Sequence, residues 1–326
     1  MIEPGATTGC GKLPHLSAHQ AAEFAWSAFD VPPVPCLPRR SPAEFEIARA
    51  LLGVAGVALG QYGTFTVDAD RLDPGATVDT DIDGQQFTGF RTYLELAAAH
   101  DPGRPVLWTF AGPVSVGLAL IRAGAEPTLA FAVAHAAVCQ HLRALVGAVD
   151  SALPGVPQIV MLSEPFAGDL GGREFPLAPD ESVDLVSSAM AVVAPAANVG
   201  VCGDADIDLS LLLASGPELI VIPASKRVVP LAGQLDRYLA NGGWIAWGAV
   251  STGGPIGVTS TRSWLQLQEV WGELSARGCS PELLRDRCLL APDGDLVHHN
   301  PVIAERICRT VRDMSTKLRM LAASQR

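Results

Sequence analysis

Cys202 stands at the end of a short apolar run, in Asn198-Val199-Gly200-Val201-Cys202-Gly203-Asp204-Ala205-Asp206, with two acids in the loop that follows. A thiol acts as a nucleophile or a metal ligand only as thiolate, so its worth depends on what surrounds it. A second reactive type, Glu164, ends another apolar run in Ser163-Glu164-Pro165-Phe166. Its carboxylate can serve chemistry, or it can cap a helix or accept from a backbone amide. His135 and Cys139 are four residues apart, on one face of a helical stretch, a spacing that can ligate metal; core packing is the expected role on an outer helix.

These residues need elements to hold them. Short, continuously apolar runs punctuated by Gly and Pro predict strands at Val106–Phe110, Gln158–Leu162, Val199–Cys202, Leu219–Ile222 and Trp244–Val250, with a weaker one at Arg287–Leu290. Helical spacing fills the intervals, from Leu16–Phe29, with Ser17 as N-cap, to a closing helix over Pro301–Ala322. Ser41–Leu52 is expected to be one helix with Pro42 at its first position and Ser41 and Glu44 as a capping box. The proline-dense stretch Val31–Pro42 is extended, because proline removes donors and fixes φ, and Val54–Asp70 alternates as a hairpin would. With the amino-terminal run, about eight β/α units result, which predicts a (β/α)8 TIM barrel over 1–326, a single domain with an amino-terminal Pro-rich extended segment. A barrel keeps its chemistry at the carboxyl ends of its strands, where Cys202 and Glu164 fall.

Composition narrows the partners. Hydrophobic residues make up 48% of the chain and charged residues 17%, enough to bury a large core. The net charge is -11 and basic residues are scattered, so nucleic acid is not an expected partner. The longest apolar stretches are broken by Gly and Pro before the roughly 18 to 20 residues a membrane span needs. Seven widely spaced cysteines with no Cys-x-x-Cys pair suit reduced thiols and a cytoplasmic setting. Gly9-Cys10-Gly11 lacks the third glycine and the helix start of a dinucleotide or P-loop fingerprint.

Six stretches, in order, carry a resemblance. Gly9-Cys10-Gly11-Lys12-Leu13-Pro14-His15, Val34-Pro35-Cys36-Leu37-Pro38-Arg39-Arg40-Ser41, Ala111-Gly112-Pro113-Val114-Ser115, Ser163-Glu164-Pro165, Gly243-Trp244-Ile245-Ala246-Trp247-Gly248 and Leu290-Ala291-Pro292-Asp293-Gly294-Asp295-Leu296 resemble motifs of the barrel superfamily of cobalamin-independent methionine synthase and uroporphyrinogen decarboxylase. The resemblance implies a methyltransferase-like protein moving a methyl or alkyl group to or from a small thiol, with a folate or corrinoid as donor. It implies catalytic roles for Cys202 and Glu164, to which Lys12 is added as a candidate on its own chemistry, and substrate contacts at the positions of His15, Ser163, Ser115 and Trp247. It also implies zinc, which holds a substrate thiol as thiolate and needs about three protein ligands.

Of the four ligand positions only Cys202 matches: Gly200, Pro223 and Gly294 stand at the other three. Lys12 replaces a serine and Ser163 an aspartate, which predicts a mouth shifted toward positive charge, with Lys12 facing Glu164 or an anionic ligand. His298-His299, beside Asp293 and Asp295, could rebuild a metal site with Cys202. The alternatives are a non-catalytic or repurposed barrel acting as a partner subunit, alone or with a paralogous barrel, and a metal-free decarboxylase-like enzyme. The last needs more clustered cations than Arg39, Arg40 and Lys12 provide for a polycarboxylate.

Overall fold

Strands and helices alternate much as the apolar runs predict. The computed structural model describes residues 2–100, 103–168, 175–203, 208–253 and 260–324. The chain opens with β1 (Ala6–Thr7), α1 (Ala18–Ala28) and α2 (Glu46–Ala50), then the antiparallel hairpin β2 (Val57–Leu59) and β3 (Phe65–Val67), and α3 (Thr88–His100). β4 (Val106–Ala111) leads to α4 (Pro113–Arg122) and α5 (Pro127–Ala152), β5 (Gln158–Glu164) to α6 (Pro179–Ala191), and β6 (Asn198–Gly203) to α7 (Leu209–Ala214). β7 (Leu219–Pro223), α8 (Ala232–Ala240), β8 (Trp244–Val250), α9 (Ser260–Ala276), α10 (Pro281–Asp286), β9 (Cys288–Pro292) and α11 (Pro301–Ser324) complete it.

Among the described residues the main sheet has seven strands, in the order β1-β9-β8-β7-β6-β5-β4, every pair parallel. Strand alternation divides its side chains into two sets. Ala6, Leu107, Ile159, Met161, Leu219, Ala246 and Leu289 pack on one another inside the curl. Trp108, Phe110, Val160, Leu162, Val201, Ile220, Ile222 and Trp247 face the helix layer and join the main core.

The Pro-rich segment spans the gap between β1 and β4. Prolines at 32, 33 and 35 leave three N–H groups between Val31 and Cys36, and all three are used. Val31 donates to Thr7 O (2.9 Å), Val34 to Leu107 O (2.7 Å) and Cys36 to Gly11 O (2.8 Å). The segment therefore bonds to both edges of the sheet although proline keeps it from forming a regular ladder.

The expected helix over Ser41–Leu52 is instead two pieces, a 3-10 turn at Pro42–Glu44 and then α2, broken at Phe45. No capping box forms, because the Ser41 N–H is already taken by Leu37 O. Glu44 turns inward and accepts from Leu37 N (2.9 Å) and Arg40 Nη1 (2.8 Å).

By length and composition α5 could cross a membrane, yet 61% of its most apolar window is buried in the protein's own core. It packs on α4 at Gly117, where a Cβ would meet the Phe131 ring at 2.2 Å.

Candidate functional site

Side chains from the carboxyl ends of the strands converge on a cavity of about 310 Å³ at the mouth of the curl. Alternation carries Thr8, Cys10 and Lys12 to it from β1 and the turn beyond; Thr109, Ser163 and Cys202 come from β4, β5 and β6, and Asp293 and Asp295 from the loop after β9.

Lys12 organises this mouth. Its Nζ lies 3.0 Å from Glu46 Oε1 and 3.2 Å from Asp295 Oδ2. Burial alone would lower its pKa, but the two carboxylates outweigh that and hold the ammonium protonated well above its ordinary range. The expected shift toward positive charge is thus cancelled: one cation faces two anions, and Lys12 pairs with Glu46 and Asp295 rather than with Glu164. On the other side of Asp295, Cys10 Sγ donates to Oδ1 at 3.0 Å. Burial and the Asp295 charge push the Cys10 thiol well up.

Cys202 lies beside Ser163, its partner in register on β5. Burial pushes its thiol up to about 12, with Lys12 pulling the other way. It lines the mouth as expected, as a protonated thiol. The acids that follow it, Asp204 and Asp206, fall outside the described residues.

Glu164 points the other way. One residue beyond Ser163, it is turned to the helix layer, fully buried, and accepts from Val114 N (3.1 Å) and Ser115 N (2.6 Å) at the start of α4. Burial raises its pKa to about 7 against these hydrogen bonds. Gly112 makes room for it, since a Cβ there would stand 2.1 Å from Glu164 Oε1. Ser115 accepts from Phe166 N (3.0 Å) and is also buried. Both residues brace the β4 and β5 loops and neither lines the mouth, contrary to the sequence expectation.

The fold resembles that of a B12-independent methionine synthase. Such an enzyme from Shewanella sp. W3-18-1, solved in complex with selenomethionine, matches with a TM-score of 0.63 at 11% identity, over 99% of this chain and 100% of that one. A methyltransferase from Methanosarcina mazei matches with a TM-score of 0.58 at 14% identity, over 96% of this chain and 94% of the other. No family model and no curated protein sequence matches the chain.

A methionine synthase-like fold does not bring a zinc-binding donor set with it here. Gly200 has no side chain, and the space a Cβ would need is filled by Met161 Sδ at 2.4 Å and Leu219 O at 2.6 Å. Pro223 and Gly294 offer no donor. Asp293 Oδ1 is occupied by Thr252 N (2.7 Å) and its hydroxyl (3.0 Å), and Asp295 by Cys10 and Lys12. His299 has its carbonyl on Arg39, and His298 faces a separate outer chamber. Among the described residues no three of His, Cys, Asp and Glu converge as a metal group. The residues present do not fit the zinc ion that the resemblance implies, nor the rebuilt site from His298, His299 and Cys202.

Two further expected contacts lie off the mouth of this methionine synthase-like fold. Trp247 is fully buried on the helix side of β8, its ring 6.2 Å from that of Trp271 in a T-shaped pair. It is the immediate neighbour of inward Ala246 and of Gly248, so alternation turns it to the opposite face. His15 is buried against Phe24, ring centroids 4.9 Å apart, and burial lowers its pKa, so it orders the first loop. His135 bridges Ser188 (2.8 Å) and Cys139 (3.5 Å) between α5 and α6, a packing role as expected.

Sequence reasoning missed Cys10 and Glu46. The alternation Thr8, Cys10, Lys12 was a signal for the first. Glu46 carries none, because it reaches the mouth from a helix whose placement depends on the Pro-rich segment.

Proposed function

We propose that the chain is a methyltransferase-like protein, built as a closed (β/α)8 barrel with residues 31–36 in the eighth strand position, which moves a methyl or alkyl group to a small thiol acceptor without a zinc ion of the usual kind. The observation that supports this reading is the hydrogen bond from Cys10 Sγ to Asp295 Oδ1, beside Lys12. A carboxylate that already accepts an S–H can accept the proton of an acceptor thiol lodged in the same cavity. As that proton passes to Asp295, the acceptor sulfur forms a bond to the alkyl carbon. The bond from that carbon to the donor breaks, and the leaving atom keeps the electron pair. Lys12 remains protonated throughout and holds Asp295 and Glu46 in place. A folate or a corrinoid as donor rests on the likeness to methyl-transfer enzymes alone.

Two observations favour a second reading, a repurposed barrel that binds without catalysing. Both mouth thiols are held protonated, and Met161 fills the space beside Gly200. A decarboxylase-like reading is weakened because Arg40 is committed to Glu44, and Lys12 to Glu46 and Asp295.

The test is mass-spectrometric detection of S-methyl product after incubating the full chain with folate or corrinoid methyl donors and small thiols. Product is expected from the wild type, reduced about 100-fold or more in Asp295→Asn, and unchanged by a zinc chelator. Loss of product on chelation would sink the zinc-free mechanism, and no product with any donor would leave the binding reading.

A further inference from the structure

Beside the mouth cavity lies a second, outer chamber of about 1100 Å³, and Lys12, Pro165 and Asp295 line both. That volume is far more than a small thiol needs and matches the upper range of drug-sized ligand pockets.

Its walls have two properties. The first is aromatic. Phe45, Tyr62, Phe65 and Phe166 all line it, and Phe45 and Tyr62 are 48% and 82% exposed. Large rings left open in one concavity offer flat faces that a planar ligand covers. Tyr62 sits at the tip of the β2–β3 hairpin with φ 61, the one non-glycine residue in the left-handed region among those described. Such backbone costs persist where the surroundings enforce them, often at ligand clamps.

The second property is charge. The lining carries three cations, Lys12, Arg39 and Arg122, against two carboxylates, Glu46 and Asp295, and both carboxylates are engaged by Lys12. Among the described residues neither arginine has a carboxylate partner. Arg39 donates to the His299 carbonyl (3.0 Å), and Arg122 lies 4.4 Å from the Phe166 ring centroid. A guanidinium stacked on a ring keeps its in-plane donors directed outward, the geometry that suits an acid group. On a chain of net charge -11, the lining of this aromatic cavity holds one more cation than carboxylates.

We infer that the outer chamber binds a flat aromatic anion, its ring covered by Tyr62, Phe45 and Phe166 and its acid group held by Arg39 and Arg122. This deepens the reading of the mouth as a ligand site and does not depend on the transfer chemistry.

Isothermal titration calorimetry of the full chain with 2-naphthoate and its neutral counterpart 2-naphthylmethanol tests it. The acid is expected to bind about tenfold more tightly than the alcohol at low salt, from charge-assisted hydrogen bonds, and the preference to shrink as salt rises. In Arg39→Gln/Arg122→Gln, both surface changes, the preference should fall to about twofold or less, while Tyr62→Ala weakens both probes. Equal affinity for the two probes, a preference that survives the double substitution, an unaltered affinity in Tyr62→Ala, or no binding of either probe at about 1 mM overturns the proposal. S-methyl product is scored separately, so failure of transfer leaves this inference standing, and failure here leaves the transfer reading intact.

Discussion

Lys12 Nζ stands 3.2 Å from Asp295 Oδ2 and so ties the turn after β1 to the loop after β9, two strands that pair side by side in the sheet. With Glu46 the trio carries one positive and two negative charges, each largely shielded from water. Removing the cation leaves two carboxylates facing each other. Lys12→Met is expected to destabilise the protein by about 1–3 kcal/mol, measured by urea unfolding. Adding Glu46→Gln should recover part of that loss, and no recovery would mean that the lysine's packing rather than its charge matters.

Glu164 makes stability depend on pH in an unusual direction. Its folded pKa is raised to about 7 by burial, so the native state holds a proton that the unfolded chain has released. Its contribution is fully present below about pH 4.5 and is lost as pH rises through 7. The loss is on the order of 3 kcal/mol at most. Glu164→Gln should remove this slope between those limits in denaturation curves taken across pH. A slope unchanged by the substitution would assign it to another group.

Gly200 tests the zinc argument directly. Gly200→His introduces a side chain where Met161 Sδ and Leu219 O already lie, and overpacking should cost about 1–3 kcal/mol. Gly200→His with Met161→Ala should fold better than the single substitution, as read by thermal melting. Equal melting points for the two would show that Met161 is not what closes the space.

Cys202 should be a slow thiol. With its pKa up at about 12, it is expected to react with iodoacetamide at pH 8 roughly 10³-fold more slowly than a free cysteine. Peptide mapping over a time course reads this out, with Cys202→Ser as the marker. Rapid labelling at neutral pH would place a thiolate at the mouth and revive a nucleophilic role.

Most strand positions were legible because a parallel strand covered on both faces leaves a short unbroken apolar run, as at Gln158–Leu162. The sense of each side chain was less legible at strand ends. Glu164 and Trp247 sit one residue out of phase with Ser163 and Gly248, and a motif matched in sequence does not say which of two neighbours faces in. Lys12 was recognised as a mouth residue, but its partners lie on α2 and after β9, and no local pattern reports a contact made across the whole chain. α10 escaped notice although Ser280-Pro281-Glu282 carries an N-cap and a helix-opening proline. The break at Phe45 was invisible for a different reason: the Ser41 N–H was claimed by a tertiary contact.

The Pro-rich segment has one more consequence. With donors only at Val31, Val34 and Cys36, a slip of one residue either way would bring proline to two of the three donor positions. The prolines thus act as a ruler. They set how much chain runs from Lys12 to α2, and with it whether Glu46 arrives at the ammonium or falls a turn short. An insertion or deletion within 31–36 should therefore be felt first as a loss of charge balance at the mouth, before any strand is lost.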